Sequence, residues 1–143
     1  MKFKIVAICA ALFGILLTPE FSQATLVFIV NSKNETKEVS RKFLADAFLK
    51  KITFWHNGEI ILPIDLQVNS PVRNEFSEQI LNRPVTAIRS YWQQMIFSGQ
   101  SIPPVEYDHE EQVIRFVGGH ANALGYVSDK AVLGPNVKAV PLK

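Results

Sequence analysis

From Leu26 onward the chain alternates short unbroken apolar runs with segments in which apolar residues recur every three or four positions. Leu26-Val27-Phe28-Ile29-Val30 is β-branched and aromatic and is closed by the polar Asn31-Ser32-Lys33-Asn34, which predicts a strand buried within a sheet. From Ser40, Phe43, Leu44, Ala47 and Phe48 fall on one helical face, with Arg41, Lys42, Asp46 and Lys50 on the other. Ser40 suits the cap, and Lys50 with Lys51 complement the negative end of that helix. Asn57-Gly58 predicts a tight reversal between Phe54-Trp55 and Ile60-Ile61-Leu62 because both residues tolerate positive φ. Pro63 cannot donate to a ladder, so the strand over Ile60 to Ile64 is expected at a sheet edge or to end near that point.

Ser70 followed by Pro71 starts a second helix for two independent reasons: a hydroxyl cap and a proline at the first helical position. Val72, Phe76 and Ile80 mark its inner face. Arg83-Pro84 opens a third and longest helix in which Val85, Ile88, Trp92, Met95 and Ile96 form a stripe, ended by Gly99 before Pro103-Pro104. Asp108 with Glu111 predicts a capping box for a fourth helix carrying Val113, Ile114, Phe116 and Val117 and stopped by Gly118-Gly119. Leu124-Gly125-Tyr126-Val127 and Val137-Lys138-Ala139-Val140 predict two more strands. Helices interleaved with strands in one unit imply an α/β domain, with a short mixed sheet of about four to five strands and about four helices.

Lys2 and Lys4, the apolar run Ile5 to Leu17, and Ser22-Gln23-Ala24 have the order of a cleaved export signal, so residues 1–24 are expected to leave a mature domain over residues 25–143 in the periplasm. The apolar run is shorter than the roughly 20 residues a spanning helix needs, so no integral membrane protein is expected. Cys9, the sole cysteine, lies inside that signal, which leaves no disulfide or thiol nucleophile. Without Lys2, Lys4 and Glu20 there remain 13 basic and 12 acidic residues, scattered along the chain, a distribution that speaks against nucleic acid.

The junction Asn69-Ser70-Pro71 is the best candidate for chemistry. A helix start leaves unpaired N–H groups and the positive end of the macrodipole outward, so a hydroxyl cap with Arg73 one turn later suits phosphate, sulfate or a carboxylate. Ser70, Arg73 and Asn69 are therefore the candidate ligand-binding residues, and the plain alternative is a serine that caps only its own helix. His56, His109 and His120 lie in separate turns without metal-ligand spacing. Gly118-Gly119-His120 is not followed by a helix, as a phosphate-cradling loop would be. Trp92 belongs to a core stripe, while Tyr91 and Trp55 are candidate interface aromatics. Asp65, Glu75 and Glu78 are the carboxylates near the Ser70 helix. No catalytic signature or cofactor motif is present, and an enzyme is not expected.

The helix Ser40 to Phe48, the block Phe48-Leu49-x-Lys51-Ile52-Thr53-x-Trp55, Ser70 with Phe76, Tyr91-Trp92 to Phe97-Ser98-Gly99, and Gly125-Tyr126-Val127 occur in an order that resembles the second lobe of the periplasmic phosphate-binding protein of the phosphate ABC transporter. The resemblance implies a single periplasmic-binding-protein-like lobe, a non-catalytic solute-binding role, and phosphate or another small anion held at Ser70. In that family the turn reads arginine, any residue, aspartate, glycine, serine, glycine, threonine. Aligned on Ser70, these fall on Leu66, Gln67, Val68, Asn69, Ser70, Pro71 and Val72, so only the serine is kept, with Arg73 as the candidate replacement charge. The family also closes a second lobe over its ligand, which 119 mature residues do not accommodate, so a homodimer or an envelope protein partner is implied. The alternative reading is a lobe that has lost its ligand and keeps the fold as a protein-interaction module.

Overall fold

The computed structural model describes residues 24–143; most of the expected export signal lies outside the described residues. Nine elements succeed one another: β1 (Leu26–Asn31), α1 (Arg41–Phe48), β2 (Leu62–Leu66), α2 (Pro71–Gln79), α3 (Val85–Phe97), β3 (Val105–Tyr107), α4 (Glu110–Gly119), β4 (Ala123–Ser128) and β5 (Val137–Val140). The five strands form one mixed sheet in the order β3-β2-β4-β1-β5. β2 runs parallel to β3 and β4, while β1 runs antiparallel to β4 and β5. The α/β architecture and the interior position of β1 agree with the pattern of apolar runs.

Side chains on a strand alternate between faces, and two neighbours on β4 show which helices lie where. Gly125 faces α4: a Cβ there would lie 2.8 Å from Val113 Cγ1 and 3.3 Å from Val117 Cγ2. Tyr126 faces the other way, its ring stacked on Phe76 of α2 at 4.0 Å and 5.6 Å from Phe48 of α1. The sheet is thus sandwiched between α1 with α2 on one face and α4 on the other. Ile29, Val113, Val117, Leu124, Tyr126, Phe76 and Leu44 are completely buried between these layers.

Several local expectations shift. Pro63 lies in β2, which is interior rather than at an edge and runs on to Leu66. The amide of Leu62 donates toward β4, to Asn122 O at 3.1 Å, so the imide nitrogen of Pro63 faces the β3 side, where pairing starts only at Ile64. The missing donor therefore costs no ladder bond. The cap of α4 is His109, one residue beyond the Asp108 expected, and the box is closed by Gln112, whose Oε1 accepts from His109 N at 3.0 Å. The stripe of α3 is narrower than predicted: Ile88 and Trp92 are buried, while Ile96 and Phe97 face solvent. β3 carries one half-buried and two exposed residues and gives no apolar run by which sequence could announce it.

Candidate functional site

Because β2, β3 and β4 are parallel, their C-terminal ends lie along one rim of the sheet, and α2 and α4 both begin there. In open α/β sheets this rim is where ligands bind. A groove of about 590 Å³ opens on it, lined among others by Leu66, Ser70, Asp108, Glu111, Ser128 and Lys130.

Ser70 has extended backbone angles and its Oγ accepts from Arg73 N at 3.3 Å, so the hydroxyl caps its own helix, as the sequence suggested. It is half-buried and borders the groove; Asn69 beside it is exposed. Arg73 points elsewhere. Its side chain is 2% exposed, and Nη1 forms an ion pair with Oδ2 of Asp65, itself 4% exposed on β2. Asp65 Oδ1 accepts from Leu66 N at 2.9 Å and from the Tyr126 hydroxyl. Burial pushes the Tyr126 phenol up to about 12, against the opposing influence of the Arg73 charge. Ser70 and Arg73 are thus joined through the backbone, but the guanidinium faces the interior and its charge is neutralised there.

The direction of Arg73 comes from the same periodicity that predicts α2. Positions 73, 76, 77 and 80 share one side of the helix, and all four are buried. The lone carboxylate within Ile64-Asp65-Leu66 signals its partner, because an ionised group in a buried strand must find a counter-charge. Neither signal by itself names the pair.

At the other helix start, Glu110 accepts from Ser128 N at 2.6 Å and from its hydroxyl at 3.0 Å. The α4 N-terminus therefore already faces a carboxylate of the chain, with exposed Asp108 and Glu111 beside it. Three carboxylates against Lys130 make this rim acidic, a poor match for a phosphate dianion and a good one for a cationic surface. Trp55 is not an exposed interface aromatic: it is 6% exposed, packs on Phe43 at 5.4 Å and donates Nε1–H to Asn122 O at 2.9 Å. Tyr91 is half-buried and donates its hydroxyl to Leu49 O at 2.8 Å. His56, His109 and His120 are all exposed, and among the described residues no group of three or more His, Cys, Asp or Glu side chains is arranged to hold a metal. No helix among them is long and apolar enough to cross a membrane.

This sheet order, with its helices on both faces, is the fold of one lobe of a phosphate-transporter substrate-binding protein. Several solved structures share it. An ABC-type phosphate transport receptor from Vibrio cholerae is similar at 17% identity and a TM-score of 0.64, over 83% of this chain and 46% of that one. A protein from Clostridium perfringens, assigned as a phosphate ABC transporter substrate-binding protein and holding bound phosphate, is similar at 21% identity and a TM-score of 0.65, over 83% and 45%. PstS from Borrelia burgdorferi is similar at 13% identity and a TM-score of 0.64, over 83% and 47%. The chain thus spans about half the length of these proteins, and at such identities the likeness is one of fold. No family model and no curated protein sequence matches the chain.

Proposed function

We propose that this chain is an exported, non-catalytic binding lobe of the phosphate-receptor type, working in the periplasm, that docks on a protein partner through the rim of its sheet instead of holding free phosphate. The observation that carries the reading is the Arg73–Asp65 ion pair: the one cation of the Ser70 helix start is turned inward and neutralised. The acidic rim of Asp108, Glu110 and Glu111 adds to it, and selects a partner surface carrying lysine or arginine. Exposed Val132, at 87%, supplies an apolar contact on the same groove.

The test has two arms. Calorimetric titration of the protein with phosphate and sulfate at low salt should give no heat of binding. A photo-crosslinking residue at Val132 in cells should trap one discrete protein, and Asp108→Lys with Glu111→Lys should abolish the adduct. Saturable phosphate binding, or an adduct pattern indifferent to the charge reversal, defeats the reading.

A second reading, a small-anion site at Ser70 and Asn69 to which the Asp65-paired Arg73 adds no free charge, is favoured by one feature. The N-termini of α2 and α4 open on the same groove, so two macrodipoles converge there. It requires a second lobe, from a homodimer or a partner, to exclude water. Phosphate-dependent dimerisation, lost in Ser70→Ala, would be its signature.

A further inference from the structure

We propose that Asp65 is the built-in anion of a buried cation seat, and that removing its carboxylate converts the seat into a binding site for a small inorganic anion. This property of the seat goes beyond the partner reading and does not depend on it.

The seat is assembled from three elements. Arg73 of α2 approaches one carboxylate oxygen, while the Tyr126 hydroxyl of β4 and the Leu66 amide of β2 donate to the other. A charged fork, a phenol and a backbone N–H around one point make a donor set that suits a halide or one face of an oxyanion as well as a carboxylate. Asp65 is the occupant because β2 carries it there. The guanidinium also has donor capacity to spare: Arg73 Nε is buried with no hydrogen-bond acceptor among the described residues, and Nη1 meets Asp65 as an ion pair without a hydrogen bond. It cannot escape by losing its proton, since arginine stays charged in proteins.

Loss of the carboxylate would leave that guanidinium uncompensated. A fixed positive charge in an interior of low dielectric must find a new counter-ion or leave the fold. Asp65→Ala removes a carboxyl group and leaves the three donors in place, so the space created is small, cationic and lined by N–H and O–H groups. Chloride is the first probe, being compact and singly charged; sulfate and phosphate test how much room the seat has.

The experiment tracks the thermal midpoint of the full chain as chloride replaces gluconate at constant ionic strength, with wild type, Asp65→Ala, and Asp65→Ala combined with Arg73→Met. The single variant should be destabilised in gluconate and should regain about 5–10 °C, saturably, with chloride. Wild type, whose seat is filled, and the double variant, which has no cation, should not respond. Equal responses of the single and double variants would overturn the proposal, as would a single variant that stays unfolded in chloride, sulfate and phosphate while the double variant folds.

Discussion

Glu110 and Ser128 join the first turn of α4 to the last residue of β4: the carboxylate accepts both the Ser128 amide, at 2.6 Å, and its hydroxyl, at 3.0 Å. Both residues line the groove, and the bond holds a negative charge at a helix N-terminus, where the dipole favours it. Glu110→Gln, which keeps one acceptor, should lose less stability than Glu110→Ala, which leaves the Ser128 amide without its acceptor and should cost about 1–3 kcal/mol. Chemical denaturation of the two variants checks the order.

The Arg73–Asp65 pair should behave as a unit. Arg73→Ala leaves a buried carboxylate uncompensated and should cost about 3–5 kcal/mol, whereas Asp65→Leu with Arg73→Met should lie close to wild type, because the desolvation of both charges disappears together. A double-mutant cycle in urea measures the difference. If the two single losses simply add, the pair is not coupled.

Tyr126 predicts a specific loss of stability in alkali. Its pKa rises from 10 to about 12 on folding, chiefly through burial, so the folded state holds the phenol proton more tightly than the unfolded chain does. The resulting stabilisation is complete below pH 10 and is lost as pH rises through 12, a total of about 2–3 kcal/mol. Denaturant midpoints measured from pH 9 to 12 should show this decline in wild type. Tyr126→Phe, weaker at neutral pH because Asp65 loses a donor, should lack that component.

Gly125 allows α4 to sit close on β4. A methyl group there meets Val113 Cγ1 at 2.8 Å, so Gly125→Ala should destabilise by about 1–3 kcal/mol. Combining it with Val113→Ala removes the shortest contact and leaves Val117 Cγ2 at 3.3 Å. The double variant should therefore be more stable than the sum of the single losses, by about 0.5–3 kcal/mol.

Ser70→Ala tests what the hydroxyl does. With its only described role the 3.3 Å cap to Arg73 N, the change should cost about 1 kcal/mol or less. Under the partner-docking reading, it should leave the crosslink at Val132 unaltered.

Much of the architecture is legible in the order of residues. β1, α1 with its Ser40 cap, the Ser70-Pro71 start of α2, β4 and β5 all lie where periodicity and capping put them, since each depends on contacts within a few residues. The start of β2 and all of β3 are less legible because their pairing partners lie far along the chain. Pro63 misleads for the same reason: whether a strand lacks a donor matters only on the side where a neighbour is paired, and that side is set by sheet order.

The amino-acid sequence by itself determined the alternation of helices and strands, the α/β class of the domain and the capped helix start at Ser70, because propensity, amphipathic period and caps act locally. Tertiary structure alone decided where the Arg73 charge goes. Helical phase turns that residue toward the sheet, but only the parallel pairing of β2 with β4 brings Asp65 and Tyr126 to meet it, and a charge paired with its counter-ion inside a protein exerts little pull on a ligand outside.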